Sequence, residues 1–292
     1  MEWFHRNIGR LLGLVYTIPA IYFIYKGKIH KKNALKAVGL GSLIGAQGLV
    51  GWFMVSSGLN QELAEIPGAV PRVSQYRLTM HLGMAYLLYT MFFLYGSKTV
   101  KLNRLVNGKI KNIDKLREII NRPEVRKFEV GVKHLTKFGI VVCLSGGMVA
   151  GLDAGLVYNE FPLMGGRLLP PFEEYWSNIY AENIFGQVQG MWHNLFENPT
   201  TVQMVHRTMA MSMCFGVSYI WWVGRRLKLN LANRVMLNSV FFFMLTQVGL
   251  GIGTLVNYVP LAWASAHQAN SVLLVASLLG LSNTLKKLPK VV

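Results

Sequence analysis

Between Val235 and Val259 the chain reads Val-Met-Leu-Asn-Ser-Val-Phe-Phe-Phe-Met-Leu-Thr-Gln-Val-Gly-Leu-Gly-Ile-Gly-Thr-Leu-Val-Asn-Tyr-Val, without one charged side chain. A hydrocarbon core about 30 Å thick is crossed by roughly 20 apolar residues in an α-helix, so this stretch is long enough to span it. Six more segments of the same character lie near 3–25, 37–59, 78–97, 135–157, 202–223 and 262–285, with polar or Gly/Pro-marked connections between them. The 292 residues are 52% hydrophobic and only 15% charged, which excludes disorder, a collagen-like repeat and an ordinary water-soluble globule. The chain therefore reads as an all-α polytopic membrane protein of seven transmembrane helices, with the lipid bilayer as its solvent.

Thirty Lys and Arg against 13 Asp and Glu give a net charge of +17. In a soluble protein that excess would suggest nucleic acid; here the charges are sorted by side. With alternate connections on opposite faces, segments 26–36, 98–137, 224–234 and 286–292 carry 5, 12, 4 and 3 basic residues, and the other face carries only Arg72, Arg77 and Arg167. Such a bias places the basic connections on the cytoplasmic or matrix side. The N-terminus of the chain is then outside and the C-terminus inside. The 98–137 stretch lacks interleaved aromatics, so it reads as an orientation-setting connection and no nucleic-acid partner is expected. Cys143 and Cys214 lie within apolar spans, which argues against a disulfide or a Cys-based metal site. Met1-Glu-Trp-Phe-His-Arg6 runs straight into the first span, with no targeting signal to read.

The spans repeat. His5-Arg6 begins one and His206-Arg207 another, while Gln47-Gly-Leu-Val-Gly51 matches Gln247-Val-Gly-Leu-Gly251 at nearly the same offset. His81-Leu-Gly-Met-Ala-Tyr-Leu-Leu and His267-Gln-Ala-Asn-Ser-Val-Leu-Leu open a third pair. Only the 135–157 span has no partner, so symmetry predicts a parent of eight spans, two pseudo-symmetric four-helix bundles, from which the first helix is missing. The predicted organisation is an incomplete bundle at 1–97, a basic connecting loop at 98–134, a complete four-helix bundle at 135–285 and a basic tail at 286–292. Glycine pairs four apart, Gly9/Gly13, Gly41/Gly45, Gly147/Gly151/Gly155 and Gly249/Gly253, predict close helix approach. Pro19 predicts a kink in the first span.

His5, His81, His206 and His267 each open a span that runs from outside to inside, so all four are expected at one depth, in two pairs. Alternate helices of an up-down bundle face each other across its core. Two imidazoles so placed suit a haem iron, held from both sides. A lone membrane histidine more often bonds a neighbouring helix; the matched pairs shift the balance toward ligation. Zinc fits less well, since no Cys or carboxylate cluster accompanies the pairs. His30, His134 and His193 read as surface or loop residues. Arg6 and Arg207 are positioned either for haem propionates or for lipid headgroups. Asp153, the carboxylate nearest a span interior, reads as a capping or loop-anchoring residue in preference to a proton carrier.

Glu2-Trp-Phe-His5-Arg6, Gln47 to Gly58, Val73-Ser-Gln-Tyr-Arg77 with His81, Ala150 to Asn159, Phe161-Pro-Leu-Met-Gly165 and Leu250-Gly-Ile-Gly-Thr-Leu with His267-Gln-Ala closely resemble the haem A synthase family. The likeness runs from residue 1 to about 283 and is closest to the mitochondrial and alphaproteobacterial branch. It implies an oxidase that converts the C8 methyl of haem O to the formyl group of haem A for terminal oxidases. It also implies haem b as cofactor on His206 and His267, substrate haem on His5 and His81, and a functional carboxylate at Glu2. The iron would carry the oxidation while the protein orients the macrocycle and manages protons. Glu2 lies one helical turn before His5, although a carboxylate at a helix N-terminus is also favourable in its own right. The implied partners are haem O, a haem O synthase (farnesyltransferase) and other oxidase-assembly proteins; self-association is left open. The implied site is the mitochondrial inner membrane, with a bacterial plasma membrane as the alternative. Two other classes share parts of the pattern: a di-haem, cytochrome b-like electron carrier, and a cofactor-free transporter with duplicated bundles. The family's first helix and first outer loop have no counterpart here, so reduced activity of the first half is expected.

Overall fold

The computed structural model describes residues 2–58, 73–110, 112–180 and 190–288. The long helices are α1 (Glu2–Tyr25), α2 (Lys31–Gly58), α3 (Gln75–Val106), α4 (Ile113–Asn121), α5 (Pro123–Gly151), α6 (Pro199–Arg226), α7 (Leu231–Val256) and α8 (Leu261–Leu285). Short helical turns occupy the 152–198 connection, and the described residues include no strand beyond an isolated bridge between Met164 and Arg167. Six of the long helices are long and apolar enough to cross a membrane, and the protein is an integral membrane protein. Their outward faces carry Leu11, Val15, Ile18, Phe242 and Leu245, exposed apolar side chains that acyl chains cover.

The remaining predicted span, 202–223, is also a helix, α6, but Gln203, His206, Arg207, Thr208 and Ser212 make it too polar to stand among the six. Interior packing compensates: α6 buries Val202, Gln203, Met213, Val217 and Ile220. Local capping sets its start. Asn198 accepts a hydrogen bond from the Thr200 backbone N–H at 3.0 Å, and Pro199 occupies the first turn, where its missing donor costs nothing.

The segment expected as a connecting loop is helical over most of its length. Helix α3 continues to Val106, and α5 starts at Pro123. Lys, Arg and Glu are good helix formers, and they pair here at helical spacing: Arg122 with Glu118 at 2.7 Å, and Glu129, 1% exposed, with Lys133 at 2.7 Å and with Arg126. Lys101 of α3 donates to the carbonyls of Asn283 (3.3 Å) and Lys286 (3.2 Å), closing the C-terminal end of α8. Pro19 lies inside an uninterrupted α1.

The chain forms two compact units, Met1–Tyr89 and Thr90–Val292, with the division inside α3. In the first, α1 packs on α2, where Tyr16 donates to the Ala37 carbonyl at 2.8 Å and its ring lies against Gly41. In the second, α5 packs on α6, α6 on α7, α7 on α8 and α8 on α5. That closed ring is a four-helix bundle in which α6 and α8 are diagonal neighbours. Its centre holds Val132, Val217, Val240, Leu278 and Leu281.

The four-apart glycine pattern is only partly the packing signal. Gly9, Gly13, Gly45 and Gly249 have nothing within 4 Å of an added Cβ, whereas at Gly224 that atom would lie 2.6 Å from Leu237 and 2.8 Å from Phe128. Gly224→Ala is therefore expected to lower stability by about 1–3 kcal/mol through overpacking. Gly249→Ala should leave it unchanged or slightly raised; thermal unfolding of the two variants in detergent checks the contrast.

Candidate functional site

The first unit brings His5 of α1 and His81 of α3 together, with ring centroids 6.3 Å apart and planes at 76°. Two imidazoles that bind one metal ion from opposite sides, with bonds of about 2 Å, hold their centroids roughly 6 Å apart. His81 is half-buried and His5 exposed. Gln47 of α2 donates to the His81 carbonyl at 3.0 Å, and its amide nitrogen lies 3.4 Å from His81 Nε2. Below the ring, a Cβ on Gly51 would come within 2.9 Å of His81 Cε1. Glycine at this position lets the imidazole lie against the α2 backbone.

The second unit repeats this arrangement with different sequence around it. Gln247 of α7 lies 3.2 Å from both ring nitrogens of His267, and a Cβ on Gly251 would come within 2.8 Å of His267 Cε1. Gln and Gly four residues apart share one helix face, so α2 and α7 present the same polar contact and the same gap to a histidine. In the second unit the Gln side chain is itself held. Asn270, one turn beyond His267, donates to Gln247 Oε1 at 2.7 Å and to the Phe243 carbonyl at 2.9 Å. Across the bundle on α6, His206 Nδ1 lies 2.8 Å from the Ser145 hydroxyl of α5, beside Gly146. In the first unit, by contrast, Gln47 Oε1 and His81 Nδ1 are buried without a hydrogen-bond partner among the described residues.

These residues fit an axially ligated macrocycle. The donors are paired neutral-type imidazoles on facing helices, and the described residues hold no cluster of three His, Cys, Asp or Glu that would chelate a bare ion. Ser145, Gly146 and Asn270 are invisible to motif reading. The Gln-x3-Gly repeat was visible as a repeat, but its histidine contacts are tertiary.

Other expected residues sort clearly. His30 and His134 are exposed, and His193 lies in the 152–198 connection 3.4 Å from Glu197. Arg6 is exposed on α1 beside His5. Glu2 starts α1, but its side chain lies outside the described residues; so does Arg72. Asp153 starts a short helical turn in the left-handed conformation, φ 50°, which suits a turn residue.

Arg207 has a definite occupation. It donates to the Leu163 carbonyl at 3.0 Å and to the Tyr158 carbonyl at 2.8 Å, and Gln203 donates to the same Tyr158 oxygen at 3.0 Å. Asn159 adds bonds to Gly155 (2.8 Å) and Leu255 (2.9 Å). Together they fasten residues 158–163 over the end of the second bundle. Arg207 Nε is buried without a hydrogen-bond partner among the described residues, so a donor remains for a propionate beside these bonds. Further along, the Tyr158 hydroxyl donates to the Glu174 carboxylate. Burial first, then that bond and the charges of Glu174 and Glu160, push the Tyr158 phenol up to about 12. A phenol raised above its unfolded value of about 10 contributes stability in full below pH 10 and loses it as the pH climbs through 12.

Two measurements follow. In ultraviolet titration, the wild type minus Tyr158→Phe difference should show a tyrosinate step near pH 12 and none near pH 10. Arg207→Gln should increase protease cleavage within 157–164, with α6 still helical by circular dichroism.

A family model described as cytochrome oxidase assembly protein, COX15-CtaA, matches residues 1–279. A haem A synthase of Nitrosomonas eutropha is 37% identical over 279 residues, covering 95% of this chain and 69% of that relative. The human haem A synthase COX15 is 38% identical over 290 residues, covering 99% of this chain and 64% of its own length. A fission-yeast haem A synthase–mitochondrial ferredoxin fusion protein is 33% identical over 289 residues, covering 97% of this chain and 47% of the fusion. The chain thus spans less than two thirds of the human relative.

Proposed function

The chain belongs to the COX15-CtaA family of cytochrome oxidase assembly proteins, and from that premise we propose that it is a haem A synthase. In this reading an integral membrane oxidoreductase converts the C8 methyl of haem O to the formyl group of haem A. The observation that carries it is the duplicated arrangement of a histidine seated on a Gln-x3-Gly helix face, each unit supplying a second histidine from another helix.

His206 and His267 would hold a resident haem b, and His5 and His81 would bind substrate haem O. Support comes from the difference between the units. Ligand histidines of a permanent metal centre are commonly oriented by outer hydrogen bonds, and the second unit supplies them through Ser145, Gln247 and Asn270. The 6.3 Å spacing of the His5 and His81 rings suits a ligand inserted between them. When bound, haem iron supplies the oxidation that no side chain performs on an unactivated methyl. The chain's own residues hold and orient the rings. Glu2, one turn before His5, is the carboxylate of the substrate half, and Arg6 is the candidate propionate partner there. Arg207 secures the loop over the cofactor half.

The basic connections face the matrix, the N-terminus of this chain faces the intermembrane space, and the protein resides in the mitochondrial inner membrane. The fission-yeast fusion supports that compartment and points to a ferredoxin as redox partner. A haem O synthase upstream and other oxidase-assembly proteins complete the partner set.

The test supplies haem O to membranes containing the chain, followed by acid extraction and chromatography. Haem A or hydroxylated haem O is expected; haem B alone would overturn the assignment. His206→Ala and His267→Ala should abolish the haem b spectrum. His5→Ala and His81→Ala should retain that spectrum but form no haem A, and His30→Ala should behave as wild type.

A further inference from the structure

Ser145 sits on α5, the span without a counterpart in the sequence repeat. Its hydroxyl lies 2.7 Å from the Val142 carbonyl oxygen and 2.8 Å from His206 Nδ1. A carbonyl brings no hydrogen, so two oxygens at the first distance require the hydroxyl proton between them. A hydroxyl has only one proton to give. What Ser145 offers His206 is therefore a lone pair, and the hydrogen in that second contact belongs to Nδ1. Neutral imidazole carries a single N–H, which leaves Nε2 as the nitrogen with the free pair. Gly146 makes the approach sterically feasible, because a Cβ there would stand 3.3 Å from His206 Cε1.

We infer that Ser145 is a positioning residue that holds His206 in the Nδ1–H form, turns its ring and presents Nε2 to the haem iron. This rests on the reading of His206 as an axial ligand. The α5 backbone fixes the direction of the hydroxyl through Val142, so the orientation of the ligand is decided by a neighbouring helix. Donation from Nδ1–H to Ser145 also makes the imidazole a stronger electron donor, which favours ferric iron and lowers the reduction potential. Among the described residues it is the Ser145 hydroxyl that meets His206 Nδ1, and it carries both effects.

The test reconstitutes the full chain with haem b and compares Ser145→Val with Ser145→Thr, which have the same shape and differ in the hydroxyl. Ser145→Val should bind haem b about 10–100-fold more weakly, with the midpoint potential moved positive. Ser145→Thr should keep the affinity and potential of the wild type. If Val and Thr both behave as wild type, Ser145 has no hold on His206. If both lose haem equally, the cause is bulk on α5, and the inference falls as well. A His206→Ala variant that keeps the wild-type haem b spectrum would defeat the underlying ligand assignment instead, whatever the Ser145 variants do.

Discussion

An imidazole inside an apolar helix bundle must have its two nitrogens satisfied from within the protein, because the surrounding lipid can neither donate nor accept a hydrogen bond. His81, His206 and His267 face that constraint, and much of the local structure answers it. Helices α2 and α7 each set a Gln one turn before a Gly, so the ring lies on backbone while the amide reaches its edge. On α5, Ser145 and Gly146 serve His206 with a hydroxyl and a gap of the same kind. Helices that must approach an imidazole this closely need glycine there, which explains the placement of these glycines better than general helix packing does.

The two units meet the constraint unequally. In the second, the Gln247 amide is oriented by Asn270 and the bundle is closed on all four sides. In the first, the corresponding Gln47 oxygen and the His81 Nδ1 have no partner among the described residues. The histidines and their Gln-x3-Gly seat recur in both units, and the hydrogen-bond network around them is more complete in the second. Under the proposed function, a haem that stays and a haem that comes and goes would make different demands on the same scaffold. A fully bonded set of ligands retains its metal, and a less constrained pair permits exchange.

Much of the fold was legible because the bilayer imposes a length and an apolar composition on each span. The 235–259 stretch declared a crossing helix, and the constant offset between His5, Gln47 and their second-half equivalents declared the duplication. Reading failed where helix formation did not require a membrane. Lys, Arg and Glu between 98 and 134 looked like a solvated connection, yet their propensity and their pairs extend α3 and build α4 and α5. It was least informative for α6, whose polar residues are tolerated because two neighbouring segments receive them: α5 at His206, and the 158–163 loop at Gln203 and Arg207.

Sequence alone determined the all-helical membrane architecture, the internal repeat and the four candidate histidines, since periodic spacing and hydropathy are properties of a chain read one residue at a time. Tertiary structure decided the rest. It placed α6 and α8 as diagonal helices, put Ser145 against His206 across 61 positions of sequence, and bonded Arg207 to backbone carbonyls of the 158–163 segment. Those outcomes depend on distances between helices whose order along the chain carries no record of their approach, and a hydrogen bond is sensitive to tenths of an ångström that composition does not encode.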